Sequence, residues 1–259
     1  SMKQTSEKNM TLSGHLRELR NRLVVCIVCI FVSFIAGLYF APGIIDQLTG
    51  IGEAYGYVYV FIAPQELLLQ HFSIALIASI CITLPVLLYN IWAFVRPGLK
   101  KSENVLLISA LLCGLVCFVI GVIFAYKIMM PFMLRFLIQI SAGSDISAAI
   151  SVQSYISFLL TIFIIFGVIF ELPVVSVLLT QLGLIKTSWM KKGRRVIIVV
   201  IFFIAAVITP PDVVSQIMVA IPIMALYELS ILICTVLEKL KKKRNQEEET
   251  EEEEENEEE

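Results

Sequence analysis

The stretch RELRNRLVVCIVCIFVSFIAGLYFA, residues 17–41, decides the fold. Three arginines precede an apolar run that begins at Leu23 and continues to Ala41 without a charged side chain. About 20 such residues form a helix long enough to cross the ~30 Å hydrocarbon core of a bilayer. The run is longer than the apolar part of a signal peptide and lacks a clear small-residue cleavage site. It therefore predicts an uncleaved first transmembrane helix.

Long apolar runs of this kind continue through most of the chain. Of its 259 residues, 58% are hydrophobic, whereas soluble domains contain roughly half. An open strand edge cannot be satisfied in lipid, so the runs are predicted to be helices. We therefore predict an all-α integral membrane protein: a cytoplasmic amphipathic segment, residues 1–22, precedes one membrane domain, residues 23–237. Its six predicted spans are residues 23–41, 66–95, 105–128, 152–182, 196–208 and 213–237. The fifth would extend over only about 20 Å at about 1.5 Å per residue.

Positive charge occurs in alternate gaps between the apolar runs. All but two of the 20 Lys and Arg residues precede the first run, follow the last, or lie between spans two and three or four and five. Short loops rich in Lys and Arg stay in the cytoplasm. Both termini and these two loops are therefore predicted to be cytoplasmic, an N-in and C-in topology.

The end of the chain has a different composition. Residues 238–259 start with basic residues, and Glu247–Glu259 then hold half of the chain's 22 acidic residues. A segment this charged and low in complexity cannot bury apolar surface, so it is predicted to be a disordered cytoplasmic tail. The six cysteines all lie inside apolar runs and are interpreted as small hydrophobic side chains. No metal site and no cofactor are predicted.

Glu171 is the outstanding polar residue inside the membrane domain. It lies mid-span in the sequence FGVIFELP, residues 166–173. A charged carboxylate at that depth costs about 3 kcal/mol on insertion scales, so Glu171 is expected to be protonated, paired or facing a polar cavity. Gln216, one turn into span six, is a candidate partner across packed helices. A structural hydrogen bond between helices is the alternative to a functional polar site.

The sequence Thr209-Pro210-Pro211-Asp212 predicts a tight turn between spans five and six. Tandem prolines stop the fifth helix and suit the first turn of the sixth, where missing N–H groups cost little. Asp212 would then lie at the positive end of the helix dipole.

Acidic residues are scarce on the predicted cytoplasmic face, which makes Glu18 and Glu103 conspicuous. Glu18 has an ordinary partner in Arg22 at i+4, and Glu103 an ordinary place in the first turn of span three, with Ser102 as a possible cap. A carboxylate can also bind a guanidinium in a bidentate pair. An arginine-binding site on this face is therefore chemically possible.

Several linked motifs carry a family resemblance over residues 12–237. The chain resembles the TatC family, the multi-spanning core of the twin-arginine protein translocase. The matching motifs are His15-Leu16-x-Glu18-Leu19-Arg20-x-Arg22, Ala63-Pro64-Gln65-Glu66, Pro85-Val86-Leu87-Leu88-Tyr89-x-x-Trp92-x-Phe94, Phe166-Gly167-x-x-Phe170-Glu171-x-Pro173 and Thr209-Pro210-Pro211-Asp212-Val213-x-Ser215-Gln216.

This resemblance implies a function in protein export and no enzymatic activity. Members of the family bind twin-arginine signal peptides of folded substrates at the cytoplasmic face, and the residues implied here are Glu18, Arg20, Phe94 and Glu103. The implied contact site for the single-span partners TatA and TatB comprises Glu171 and Gln216. A concave, glove-like arrangement with short helices five and six, a homo-oligomeric receptor complex and a location in the bacterial cytoplasmic (inner) membrane are also implied.

Two other classes of function are compatible with a multi-spanning membrane protein. A proton-coupled small-solute transporter could use Glu171 as an intramembrane carrier, and discontinuous or repeated helices would favour it. An intramembrane enzyme lacks support because no span shows a catalytic spacing such as His-Glu-x-x-His.

Overall fold

The computed structural model describes residues 12–142, 149–209 and 212–258. Within them the chain forms nine α-helices and two short strands, and a π-helical turn, Ala125–Met129, joins two of the helices. The elements are α1 Leu12–Ala54, β1 Val58–Val60, α2 Glu66–Val95, α3 Lys101–Phe124, α4 Met130–Ala142, β2 Ala149–Ser151, α5 Val152–Ile169, α6 Leu172–Gln181, α7 Thr187–Lys192, α8 Arg194–Ile208 and α9 Val213–Glu258. The chain divides into two compact units, Ser1–Phe166 and Gly167–Glu259.

In the first unit, α1 and α2 pack against each other as an antiparallel pair. Gly37 lies so close to α2 that a Cβ atom at this position would be 3.0 Å from the carbonyl oxygen of Ala75. Small residues allow such backbone approach between helices in a membrane. The packing places the beginning of α1 beside the end of α2, where polar side chains lie.

The core of the first unit lies at the other end of α1, beside the two strands. β1 and β2 are parallel, with Val58 paired to Ala149 and Val60 to Ser151. The buried apolar side chains come from α1, α2, α4, α5 and the turn before β1: Ala41, Ile45, Leu48, Tyr57, Ile74, Met130, Leu134, Val152, Tyr155, Ile156 and Leu159.

Two tyrosine hydroxyls form hydrogen bonds within this core. Tyr57 donates to the carbonyl oxygen of Leu134 at 2.9 Å, and Tyr155 donates to that of Leu48 at 2.7 Å. Burial, and then the nearby Tyr155, raise the pKa of Tyr57 to about 12, which keeps its hydroxyl protonated as a donor. These polar groups are therefore buried with partners, as stable interiors require.

In the second unit, α6, α7 and α8 all contact α9. Tyr227 on α9 donates to the Met190 carbonyl oxygen of α7 at 2.6 Å. Arg194 and Glu228 form a two-point ion pair, with N–O distances of 2.9 and 3.1 Å, between the start of α8 and α9. The buried cluster between these helices is Met190, Tyr227, Ile231 and Cys234.

A largely helical membrane architecture is confirmed, while the count of six spans stays a prediction. In the described parts of the chain, five helical runs are long and apolar enough to cross a membrane: Leu12–Ala54, Glu66–Gly98, Lys101–Ile140, Val152–Gln181 and Val213–Glu257. The predicted fifth span falls in α8, whose 15 residues extend over only about 22 Å. The bilayer core is about 30 Å thick.

The first, third and fourth predicted spans differ from the helices in the structure. α1 continues through Pro42 to Ala54, well beyond the predicted end at residue 41. α3 runs through the π-helical turn into α4, so the third helical run is longer than 105–128. The predicted fourth span is interrupted: α5 ends at Ile169 and α6 starts at Leu172, because Pro173 lacks the N–H needed in a helix interior and fits a first turn.

The structure differs from the predicted disorder of residues 238–259 over the part of this tail that it describes. α9 continues to Glu258, and the side chains of residues 238–257 are exposed. Lys and Glu are good helix formers. Ion pairs four residues apart also support the helix where basic and acidic residues meet, between Lys243 and Glu247 and between Arg244 and Glu248.

Candidate functional site

The first part of the candidate site is an ion pair at the beginning of α1. The Nε and Nη2 atoms of Arg22 both donate to Glu18 Oε1, at 3.0 and 2.9 Å. Arg22 also donates through Nη1 to Oδ1 of Asn90 on α2, at 3.3 Å. The i,i+4 partner that the sequence predicted for Glu18 is therefore present, and the same arginine joins α1 to α2.

The two carboxylate oxygens of Glu18 differ. Oε1 accepts both hydrogen bonds from Arg22, whereas Oε2 is buried without a hydrogen-bond partner among the described residues. A buried acceptor that lacks a donor costs about 1–3 kcal/mol. Glu18 is consequently held in place through one oxygen and retains the capacity to accept a hydrogen bond through the other.

Phe94 lies on the α1-facing side of α2. Its ring stacks on His15, with centroids 4.2 Å apart and an interplanar angle of 24°. The half-buried ring therefore contributes to the packing of α1 on α2. Arg20 is exposed, and residues two apart on a helix point to different sides, so the structure does not bring Arg20 together with Glu18.

Glu103 occupies the first turn of α3, as the sequence predicted, but its partner is different. Lys100, not Ser102, is the residue that precedes the helix. The backbone N–H of Lys100 donates to Glu103 Oε2 at 3.2 Å. The carboxylate is half-buried and lies at the positive end of the helix dipole, where acidic side chains stabilise a helix.

A second contact fixes the junction between α2 and α3. Trp92 Nε1 donates to Oδ1 of Asn104 at 2.8 Å. The guanidinium of Arg96 lies 5.2 Å from the centre of the Trp92 ring, within cation–π range. Asn90 and Asn104 were not among the residues predicted from the sequence. A signal was available, because Asn90 is an amide inside the second apolar run and Asn104 directly precedes the third.

The intramembrane pair in the second unit is not as predicted. Glu171 is half-buried in the turn before α6, where its backbone N–H donates to the Val168 carbonyl oxygen at 3.0 Å. Gln216 does not bond to it: its side-chain amide donates to the Phe202 carbonyl oxygen at 2.8 Å. α8 precedes α9 after a short connection, so an amide one turn into α9 reaches the backbone of α8 first.

Asp212 and Pro64 are the remaining predicted residues that the structure describes. Asp212 precedes α9 as its N-terminal cap: Oδ1 accepts from the Val214 N–H and Oδ2 from the Ser215 hydroxyl, both at 3.3 Å. Pro64 is exposed in the turn that leads into α2. Pro210 and Pro211 lie outside the described residues.

Comparison with known proteins places this arrangement among its relatives. Residues 14–222 match the family described as TatC, Sec-independent protein translocase protein. A TatC protein of Listeria innocua is 34% identical over 238 residues, covering 88% of this chain and 92% of the relative. The TatCy protein of Bacillus subtilis is 36% identical, covering 86% and 88%. A crystal structure titled as the twin arginine translocase receptor TatC superposes with a TM-score of 0.73 at 34% identity, covering 86% of this chain and 98% of the other.

Proposed function

Because this chain belongs to the TatC family of Sec-independent protein translocase proteins, we propose that it is a receptor for twin-arginine signal peptides. It would also be the scaffold of a Tat translocase that exports folded proteins. The observation that carries the receptor role is the state of Glu18: one oxygen is fixed by Arg22, and the other is buried without a donor among the described residues. A guanidinium would supply that donor.

Each of the two carboxylates, Glu18 and Glu103, would bind one of the two arginines of the peptide. Glu18 is held by an ion pair and Glu103 by the backbone of Lys100, so neither needs to be ordered when a peptide arrives. Charge-assisted hydrogen bonds to guanidinium contribute about 1.5–3 kcal/mol each. Phe94, already stacked on His15, would offer its other surface for apolar or cation–π contact. Arg20, exposed on α1, would meet the peptide from a separate side of the helix.

The proposed setting is the bacterial cytoplasmic membrane, with six spans and both termini in the cytoplasm. The distribution of Lys and Arg supports this topology. The short α8 would be the fifth span, and lipid thinning or snorkelling side chains would compensate for its length. Glu171 and Gln216 would contact TatA- and TatB-type single-span partners, and several copies of the chain would assemble in the receptor complex.

The solute-transporter alternative receives one supporting observation, the break in the helical run at Glu171. Discontinuous helices are common at transporter binding sites. Membership of the TatC family argues against solute transport, because the relatives are named as protein translocase proteins. The peptide-binding measurement below separates the two functions.

The test is binding of a fluorescent twin-arginine signal peptide to the full chain in nanodiscs. We expect Glu18→Gln, which preserves side-chain shape, and Glu103→Ala each to weaken binding by about tenfold or more, since 1.4 kcal/mol corresponds to a factor of ten. Replacing both peptide arginines with lysines should have a similar effect. The matched control is Glu53→Gln, an exposed glutamate at the far end of α1.

Unchanged affinity in both variants and with the lysine peptide would refute arginine recognition by these carboxylates. Absence of any peptide binding by the wild-type chain would refute the receptor function itself and would favour solute transport.

A further inference from the structure

An apolar groove lies between α2 and α3 on the side of α2 that faces away from α1. Its volume is about 270 Å³, near the lower end of the about 300–1,000 Å³ typical of small-molecule sites. The side chains that line it are Pro85, Leu88, Tyr89, Trp92, Ile108, Leu111, Leu112 and Leu115. We call it the α2–α3 groove.

The groove is separate from the proposed peptide site. Its α2 residues, from Pro85 to Trp92, recur at helical spacing along one side of the helix. Asn90 and Phe94, which contact α1, each lie two residues from Trp92. Two residues along a helix correspond to a rotation of about 200°, so the groove and the α1-facing side chains are on opposite sides of α2.

One end of the groove carries positive charge. Arg96 stacks over the lining residue Trp92 at 5.2 Å, and Lys100 and Lys101 follow at the start of α3. All three cations are exposed. The acid nearest in sequence, Glu103, has its Oε2 on the Lys100 backbone. The mouth of the groove is therefore cationic, while its length is apolar.

The aromatic residues at the mouth have the arrangement found at a membrane surface. Tyr89 and Trp92 lie with ring centroids 5.8 Å apart, and such residues concentrate at the level of the lipid head groups. Trp92 satisfies its indole N–H within the protein, on Asn104. An occupant of the groove therefore needs an apolar chain that lies along the leucines and an anionic group at the level of Arg96.

From this combination we propose that the α2–α3 groove is a binding site for an anionic phospholipid. One acyl chain lies along Leu88, Ile108 and Leu111, and the phosphate is bound by Arg96, Lys100 and Lys101. Basic pockets between transmembrane helices bind anionic lipid head groups in this way. The proposal does not rest on the peptide-receptor function: the apolar lining lies on the side of α2 opposite Phe94, although Lys100 adjoins Glu103 through its backbone N–H.

The chain offers a direct optical test, because it has only two tryptophans. Trp189→Phe leaves Trp92 as the sole indole. The full-length variant is reconstituted in phosphatidylcholine liposomes. One series contains increasing fractions of brominated phosphatidylglycerol, and the other contains increasing fractions of brominated phosphatidylcholine. Bromine quenches a neighbouring indole. We expect half-maximal quenching of Trp92 at a several-fold lower fraction of brominated phosphatidylglycerol than of brominated phosphatidylcholine.

A matched pair of charge variants tests the cations. Arg96→Gln/Lys100→Gln/Lys101→Gln should abolish the preference for phosphatidylglycerol, because each basic residue near the surface contributes roughly a fivefold factor. Lys186→Gln/Lys191→Gln/Lys192→Gln removes three cations elsewhere and should retain the preference. Leu111→Phe, which narrows the groove, should reduce quenching by both lipids.

Three results would overturn the proposal. The first is equal quenching by the two brominated lipids at every fraction. The second is the same lipid preference in the two triple variants. The third is quenching of Trp92 by a twin-arginine peptide with a brominated apolar segment while brominated lipid leaves Trp92 unquenched, which would assign the groove to the peptide.

Discussion

The two ends of the first unit differ in how their polar side chains are paired. One end lies beside β1 and β2 and is called the strand end, and the other lies at the beginning of α1 and the end of α2. At the strand end, Tyr57 and Tyr155 are buried and their hydroxyls bond to backbone carbonyls. At the other end, Glu18 and Glu103 are only half-buried, and Glu18 keeps a buried oxygen without a donor among the described residues. The strand end therefore holds the helices together through tyrosine hydroxyls, although Glu66 Oε2 and Gln70 Oε1 at the start of α2 are also buried without a partner among the described residues. What distinguishes the Glu18 end is that its unpaired oxygen lies on a face rich in Lys and Arg, where an acid is scarce.

The largest loss of stability is expected when a methyl group is added at Gly52, at the strand end. A Cβ atom at Gly52 would overlap the Tyr59 hydroxyl and lie 2.6 Å from that of Tyr155. Overpacking costs about 1–3 kcal/mol, and the displaced hydroxyls lose hydrogen bonds as well. Gly52→Ala should therefore lower the thermal unfolding midpoint of the purified chain in detergent by many degrees.

The control for this change is on the same helix. A Cβ atom at Gly50 would have no neighbour within 4 Å, and alanine is favoured over glycine inside a helix by about 0.5–1 kcal/mol. Gly50→Ala should maintain or raise the midpoint. Equal midpoints for the two variants would show that the strand end is not tightly packed.

A smaller loss is expected when one tyrosine hydroxyl is removed. Tyr155→Phe deletes the 2.7 Å bond to the Leu48 carbonyl oxygen, at a net cost of about 0.5–1.5 kcal/mol. Tyr39→Phe is the comparison, because Tyr39 is 81% exposed and surface changes usually stay within about 0.5 kcal/mol. Chemical unfolding of both variants measures the difference, and a Tyr39 effect as large as that of Tyr155 would contradict the assignment.

The smallest stability effect is expected at Glu18. Its ion pair with Arg22 is partly buried, with side-chain exposures of 20% and 27%, and ion pairs near a protein surface contribute about 0–1 kcal/mol. Glu18→Gln should unfold within about 1 kcal/mol of wild type while its peptide affinity falls. A large loss of stability would mean that Glu18 belongs to the packing of the fold, as Tyr155 does.

Much of the fold could be predicted because lipid leaves the backbone few choices. The lengths of the apolar runs predicted the helices, and the short run at residues 196–208 predicted the short α8. The break at Glu171 was missed although Pro173 marks it, because the apolar run continues on both sides. The continuation of α9 into the charged C-terminal segment was not predicted, because the high net charge of that segment indicated disorder. Ion pairs between residues four apart, such as Arg244–Glu248, nevertheless support a helix there.

The sequence singled out the candidate site residues, whose function stays a prediction, and it predicted few of their contacts. Scarcity of acids on a basic face pointed to Glu18 and Glu103, and the i,i+4 rule gave Arg22 as the partner of Glu18. Contacts between distant segments have no local signal, so the stack of His15 on Phe94 and the bond from Arg22 to Asn90 could not be foreseen. The same limit explains the wrong partner for Gln216, which bonds to the backbone of α8.

The proposed binding of a signal-peptide guanidinium by a carboxylate of this chain is tested most directly by a double-mutant cycle. Affinity is measured for wild type and Glu103→Gln, each with a twin-arginine peptide and with the peptide whose arginines are lysines. We expect the lysine substitutions to weaken binding to wild type by about tenfold and to Glu103→Gln by much less, since residues in direct contact are energetically coupled. The same loss in both proteins would show that Glu103 and the peptide arginines act independently, which would contradict the claim.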